Sequence, residues 1–506
     1  MATAATTAST DSTRRLPCPA GLAGVVPRNR SSRVGATVRH SSTWGTRFGE
    51  FRPDGDPHLW VSVRPKPPGA EPRPVGRVEW RARQFVCWWH EHSASARGAC
   101  GVAGRARCGP GVRADGGASF AGVRDQLDVI LVVPWYGGSH RAWADGLASA
   151  SRHRIRLVTH RDRFWRWRFQ GGPVTLAADL TAEITTGGRP DCIVVSSLTD
   201  VASLVGIARR ELAGIPVGIY LHEAQGAYPR TSGARRPAME EPAVLAEWRS
   251  LCAADVVWVS SPFLRESLGS SLRMVLDRVE SPTHLHLLDR VMERVRVLPP
   301  GVDLSWAGGT PEPGGAGPPL VLWNQRWDPD KAPMRVVNAL AHVAARGVDF
   351  RVALVGEVPE HSRTVFETAR RKLGPRVEIA GHLERSAYLE LLGHADIVVS
   401  AARHEFFGIA PVEAMAAGCV PLYPDRENYP NLIPERYRPH CLHHDHDLVP
   451  RLTELLTDLA RWRNSTSGLA GEMQRFDWAR VAGSYDRELA RLARYGHAGG
   501  EERGPM

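Results

Sequence analysis

The chain has 506 residues, 43% hydrophobic and 23% charged, a composition that excludes fibrous and fully disordered proteins and leaves room for two or three globular domains. Its formal charge of +10 belongs to the first quarter alone, because residues 1–125 hold 19 Lys+Arg against 9 Asp+Glu and the remainder is balanced. No apolar run approaches the roughly 20 residues that span a bilayer, no charged-then-apolar leader opens the sequence, and the eight cysteines are scattered without a C-x-x-C pair, so a soluble, cytoplasmic protein is expected.

Residues 1–125 are rich in Arg, Pro, Gly, Ser and Ala, without sustained periodicity, and predict a largely disordered basic extension. Tryptophans at 44, 60, 80, 88 and 89 leave open a small folded piece near 75–92. The charge suits a tail that helps to hold nucleic acid, and equally a poorly structured extension with no such role.

From Asp128 the texture changes to short β-branched apolar runs alternating with helical patterns. "DVILVV" (128–133), "IRLVTH" (155–160), "CIVVSS" (192–197), "PVGIYLHE" (216–223), "DVVWVSS" (255–261) and "RVRVLPPGVD" (294–303) predict buried parallel strands of one domain over 126–306. A turn-rich linker follows at 307–319. The rhythm then restarts with "LVLWNQRW" (320–327), "DFRVALVGE" (349–357), "RVEIAGHL" (376–383), "DIVVSAA" (396–402) and "CVPLYP" (419–424), a second domain over 320–475. The predicted fold is α/β, two Rossmann-like doubly wound domains facing a central cleft, with ligands at the carboxyl ends of the strands. An amphipathic helix over 476–495 carries Trp478, Val481, Tyr485 and Leu489 on one stripe.

Several constellations fall at such strand ends. After the first strand, Gly137 and Gly138 in "PWYGGSHRAW" allow close backbone approach to a ligand, or simply a tight strand-to-helix turn, with Ser139 placed to cap the helix. After the second, "RDRFWRWRF" (161–169) packs Trp165, Arg166, Trp167 and Arg168 together, which suits unpaired bases and phosphates, or tryptophans half-buried under a helix. In "WNQRWDPDK" (323–331), Arg326 and Lys331 project two cations suited to a diphosphate leaving group, and the flanking Trp323 and Trp327 favour a site there. "RHEFFGIAPVEAMAAG" (403–418) places Glu405 on a loop and Glu413 in a short helix between Pro411 and Gly418, an arrangement suited to vicinal hydroxyls; an exposed helical Glu413 is the alternative. "HCLHHDHD" (440–447) has a metal-like composition without further ligands at useful spacing, and reads as a solvated loop.

The E-x7-E element, the R-x4-K pair and the double-Rossmann layout resemble retaining GT-B glycosyltransferases of family 4. "YGGSH", "LHEAQGAYP" (221–229), "LPPGVD" (298–303), "LWNQRWDPDK" (322–331), "ADIVVSAARHEFFGIAPVEAMAAGC" (395–419) and "YPDRENYP" (423–430) are similar to the tRNA-queuosine mannosyltransferases, which transfer mannose from GDP-mannose to queuosine in a tRNA anticodon. The resemblance spans about 128–445. It implies that Arg326 and Lys331 hold the donor diphosphate, Glu413 the ribose, and Glu405 with the Phe407–Gly408–Ile409 backbone the transferred sugar, with Gly137 and Gly138 also on the donor. His222 then lies beside the anomeric centre, and no metal or cofactor is required. Glu223 and Gln225 fall on the acceptor side, and the Trp165–Arg168 stretch occupies the position of a Trp- and Arg-rich segment on the acceptor domain. The final helix is implied to cross back to the first domain. Two departures affect the acceptor side: the family's "HENQ" is here His222–Glu223–Ala224–Gln225, and its "NS" is Ser260–Ser261. Two other readings stand beside this one, a glycosyltransferase of the same type acting on a small metabolite or lipid carrier, and a non-catalytic binder of nucleotide sugar or RNA.

Overall fold

Runs that are apolar at every position, such as Val129–Val133, bury both faces of a strand, and this pattern recurs through the molecule. The computed structural model describes residues 125–228, 240–278, 284–307 and 317–497. The expected basic extension through residue 124, the piece near 75–92 and most of the expected linker lie outside them.

Strands β1 (Asp128–Tyr136), β2 (Arg154–Arg161), β3 (Cys192–Ser196), β4 (Val217–Leu221), β5 (Val256–Val259) and β6 (Val295–Val297) form one parallel sheet in the order β2-β1-β3-β4-β5-β6. A second parallel sheet holds β7 (Leu320–Asn324), β8 (Arg351–Val355), β9 (Val377–Gly381), β10 (Ile397–Val399), β11 (Val420–Pro424) and β12 (Leu442–His443), ordered β12-β11-β10-β7-β8-β9. Each order reverses once, between β1 and β3 and between β7 and β10. A crevice opens at such a reversal because the helices leave for opposite faces.

Side chains alternate between two cores in each domain. Ile130 and Val132 join one face of the first sheet, and Val129, Leu131 and Val133 the other. The second of these faces is closed by the helix Trp478–His497, whose Trp478, Tyr485, Leu489 and Leu492 are buried against Trp143, Tyr220 and Trp258. Polar groups pin it further: Trp143 Nε1 donates to Tyr485 OH (3.0 Å), Ser151 Oγ to Asp486 (2.6 Å) and Trp258 Nε1 to Glu488 (2.9 Å). The chain passes between the domains at two adjacent places, where the Val302 amide donates to Phe476 O (2.8 Å) and the Trp478 amide to Val302 O (3.2 Å).

Two expectations need correction. Trp323 and Trp327 do not wall a site: both are 1% exposed, with ring centroids 4.7 Å apart in the core beneath the second sheet, because Trp323 occupies an inward strand position. The His-rich stretch is not wholly a solvated loop. Leu442 and His443 add the edge strand β12, and His443 is 1% exposed, its Nε2 paired with Ser400 O at 2.9 Å. Among the described residues no cluster of His, Cys, Asp and Glu is arranged to hold a metal ion.

Candidate active site

The loops at the carboxyl ends of the strands carry unusual backbone. Every non-glycine residue with positive φ among the described residues lies there: Phe164 after β2, Leu198 after β3, Ala332 after β7 and Glu427 after β11. Such conformations cost of order 1–3 kcal/mol each and persist where the surroundings impose them, commonly at functional sites.

On the second domain, the loop after β7 turns through the 3-10 helix Pro329–Lys331 and is tied to the loop after β10 by the Arg403 amide donating to Asp330 O (2.7 Å). This brings together residues far apart in sequence. Lys331 Nζ donates to the His404 carbonyl at 2.8 Å and meets Glu405 Oε2 at 3.1 Å. Burial alone would lower the lysine pKa, but Glu405 and then Asp330 outweigh it and hold the ammonium above its ordinary value. Arg326 is not engaged in the same way: its guanidinium pairs with Asp328 and is 58% exposed, free to turn toward a ligand.

Gly408, at φ 100°, makes the left-handed turn that starts the helix Ile409–Ala416, with Pro411 in its first turn. The Phe407 carbonyl accepts from Asn428 Nδ2 at 2.8 Å, which fixes the loop on which Phe407, Gly408 and Ile409 stand. Glu413 is 6% exposed rather than a solvated helical residue. Its carboxylate receives Arg385 Nη1 at 2.6 Å and Tyr388 OH at 3.2 Å, both from the helix Arg385–His394. Burial raises its pKa, and Arg385 opposes that rise.

The first domain faces these loops with β1, β4 and β5. Gly137 has no room for a side chain, since a Cβ would stand 2.1 Å from the Asp162 carboxylate, and Gly138 takes φ 50°. His222, just past β4, sits against Trp143, Tyr220 and His140, with the His140 ring centroid 4.2 Å away. Burial, then the neighbouring His140, keeps its pKa well below that of a free histidine, so the imidazole is neutral. Gln225 donates its side-chain amide to Glu223 at 3.0 Å and its backbone amide to both oxygens of Glu247 at 3.1 and 3.2 Å. Glu247 is 3% exposed, and burial pushes its carboxyl up to about 8, the Gln225 amide partly offsetting the rise. Tyr228 OH closes the network on Glu223 at 2.5 Å, and its ring lies 5.0 Å from His404 of the second domain. A further bridge joins the domains where Ser261 Oγ donates to Phe406 O at 2.5 Å.

Trp165 and Trp167 open the helix Trp165–Gly187 at 38% and 69% exposed, next to Phe164 at 79%. Arg166 stacks over Trp165, its guanidinium carbon 4.9 Å from the ring centroid, while Arg168 turns inward to His160 at 3.2 Å. Trp167 is therefore largely exposed and Trp165 partly so, and Arg168 is set apart from the exposed group. Arg385, Tyr388, His140 and Tyr228 escaped the reading of the sequence, because each is a lone polar residue outside the paired motifs. The quoted runs "YGGSH" and "LHEAQGAYP" contained His140 and Tyr228 without marking either as a site residue.

A model of the N-terminal domain of tRNA-queuosine alpha-mannosyltransferases matches residues 128–302, and one of group 1 glycosyl transferases matches 312–462. The Drosophila melanogaster tRNA-queuosine alpha-mannosyltransferase is 30% identical over 316 residues, 61% of this chain and 82% of the fly protein. The chain belongs to the tRNA-queuosine alpha-mannosyltransferase family. As a family member it is a glycosyltransferase. Its more distant relatives include a GDP-mannose-dependent phosphatidylinositol dimannoside mannosyltransferase of Mycobacterium tuberculosis, 25% identical over 58% of this chain and 78% of that protein. Sucrose-phosphate synthase from Thermosynechococcus elongatus shares the fold at TM-score 0.52 and 18% identity, across 72% of this chain and 99% of that one. Anabaena HepE, solved with UDP and glucose, does so at TM-score 0.52 and 16% identity, across 72% and 100%. The architecture is thus GT-B.

Proposed function

We propose that this glycosyltransferase moves mannose from GDP-mannose to a hydroxyl of the queuosine ring in a tRNA anticodon. The match of the first domain to the queuosine family supports this reading most directly. Donor machinery of the second-domain type serves many acceptors, as the mycobacterial relative illustrates, whereas the first domain carries the acceptor side. In this scheme Lys331 and Arg326 neutralise the donor diphosphate, Glu413 takes the ribose, and Glu405 with the Phe407–Ile409 backbone takes the mannose. The C1–O bond to the phosphate breaks as the acceptor oxygen attacks on the same face, and the leaving phosphate oxygen receives the acceptor proton. Neutral His222 contributes a hydrogen bond beside the anomeric centre without repelling the positive charge that develops there.

Mass analysis of tRNA nucleosides from cells with and without the gene tests the proposal. Loss of mannosyl-queuosine on deletion is the expected result; an unchanged nucleoside profile removes the tRNA acceptor. GDP-mannose and queuosine-bearing tRNA incubated with purified protein give the same answer in vitro.

Exposed Phe164, Trp165 and Trp167, with Arg166 alongside, form the proposed grip on the anticodon loop. Replacing both tryptophans with Ala is expected to weaken tRNA binding by about 1–3 kcal/mol per lost stack and leave GDP-mannose affinity unchanged. Because neither ring is in the core, the melting temperature should hold. A double variant that binds tRNA as tightly as wild type, or that loses donor and tRNA affinity together, refutes the grip.

A further inference from the structure

His140 is the third residue of the helix Gly138–Ala150, the thirteen-residue helix that follows the glycine pair. Its backbone begins without a side-chain cap, and the first intrahelical bond is that of the Arg141 amide to Gly137 O at 3.3 Å. The amides of the first turn are therefore available to an anion. The His140 side chain is only 7% exposed, and its Nδ1 is enclosed with no partner. Nε2 is not enclosed in this way and makes no hydrogen bond within the described residues. An orphaned N–H costs more than an orphaned lone pair, so the proton belongs on Nε2 and the bare nitrogen is Nδ1.

The ring packs against His222, which lies just past the carboxyl end of β4. Burial lowers its pKa; Glu223 opposes the shift and Arg326, across the cleft, adds to it. His140 thus stands within electrostatic reach of the arginine assigned to the donor diphosphate, and its ring supports His222 at 4.2 Å.

We propose that His140 is a ligand of the donor diphosphate, its Nε2–H donating to a phosphate oxygen next to the first-turn amides of Gly138–Ala150. This rests on the reading of the substrate as a nucleoside diphosphate sugar. No proton moves to or from His140 in the reaction. As the C1–O bond breaks, the electron pair goes to the phosphate oxygen, and a neutral donor already in place gains strength as that charge grows. Two cations hold the diphosphate in the ground state; the imidazole adds a bond that strengthens during transfer.

Three variants separate this role from packing. His140→Gln places an amide N–H where Nε2 stands, His140→Asn places one nearer Nδ1, and His140→Phe keeps a ring against His222 but no donor. Relative to wild type, the Phe and Asn variants are expected to lose roughly 30–100-fold in kcat/KM and to bind GDP roughly tenfold more weakly, with GMP affinity unchanged; the Gln variant should recover to within about fivefold. The contrast between Gln and Asn holds even if the Phe variant fails to fold. Equal behaviour of Gln and Asn, or a Phe variant with wild-type GDP affinity and rate, overturns the proposal. A wild-type protein that binds none of GDP, UDP and ADP overturns the donor reading itself, and the role of His140 with it.

Discussion

Lys331→Ala is expected to lower kcat/KM by roughly 10²–10³-fold, about 3–4 kcal/mol of transition-state stabilisation. The ammonium stands on a side chain only 16% exposed, bonded to the His404 carbonyl and to Glu405. Its removal takes away the charge proposed to meet the leaving phosphate and leaves the Glu405 carboxylate near Asp330 with no counterion. Lys331→Arg is expected to recover only part of the loss, because a planar guanidinium does not fit the space of a compact ammonium. Arg326→Ala, at a half-exposed position paired with Asp328, should cost less. Steady-state kinetics with GDP-mannose check both, and Lys331→Ala activity within about threefold of wild type would falsify the assignment.

The largest effect on stability is expected at Trp478. Its indole lies in a slot between Gly146 and Gly301, where a Cβ on either glycine would come within 2.1 Å of the ring. Trp478→Ala empties that slot at the point where the last helix enters the first domain, and should cost about 3–5 kcal/mol. Denaturant unfolding of the variant measures the loss. Trp478→Phe should be milder, since it refills most of the volume. An alanine variant whose unfolding midpoint matches wild type would show that the helix is held by its polar contacts alone.

Eleven of the twelve strands were legible in the sequence, most of them because burial on both faces leaves an unbroken apolar run, and the more exposed β2, β6 and β9 because β-branched and other apolar residues still recur in them. β12 was not: two residues at a sheet edge, set among histidines and aspartates, leave no run to see. The approach of Lys331 to Glu405 followed from motifs at the ends of β7 and β10, which the topology makes neighbours. The partners of Glu413 did not follow, because Arg385 and Tyr388 look like ordinary polar positions on a helix until the fold brings them to the carboxylate. Trp323 and Trp327 misled for the opposite reason, since a tryptophan next to a cation has the same appearance in a core as at a site.

The placement of the helix Trp478–His497 has a consequence for how the protein is made. A ribosome releases the first six strands long before this helix, yet the face formed by Val129, Leu131, Val133 and Trp258 is covered only in part, by Trp143 and Leu147 of the helix Gly138–Ala150, until the last helix arrives. Synthesis and completion therefore run in opposite senses: the domain encoded earlier finishes last, after the second sheet has closed its own cores. During that interval the nascent chain presents a broad apolar surface to chaperones and to its neighbours on the polysome. A message truncated between the two domain crossings would yield a product that stays in that condition.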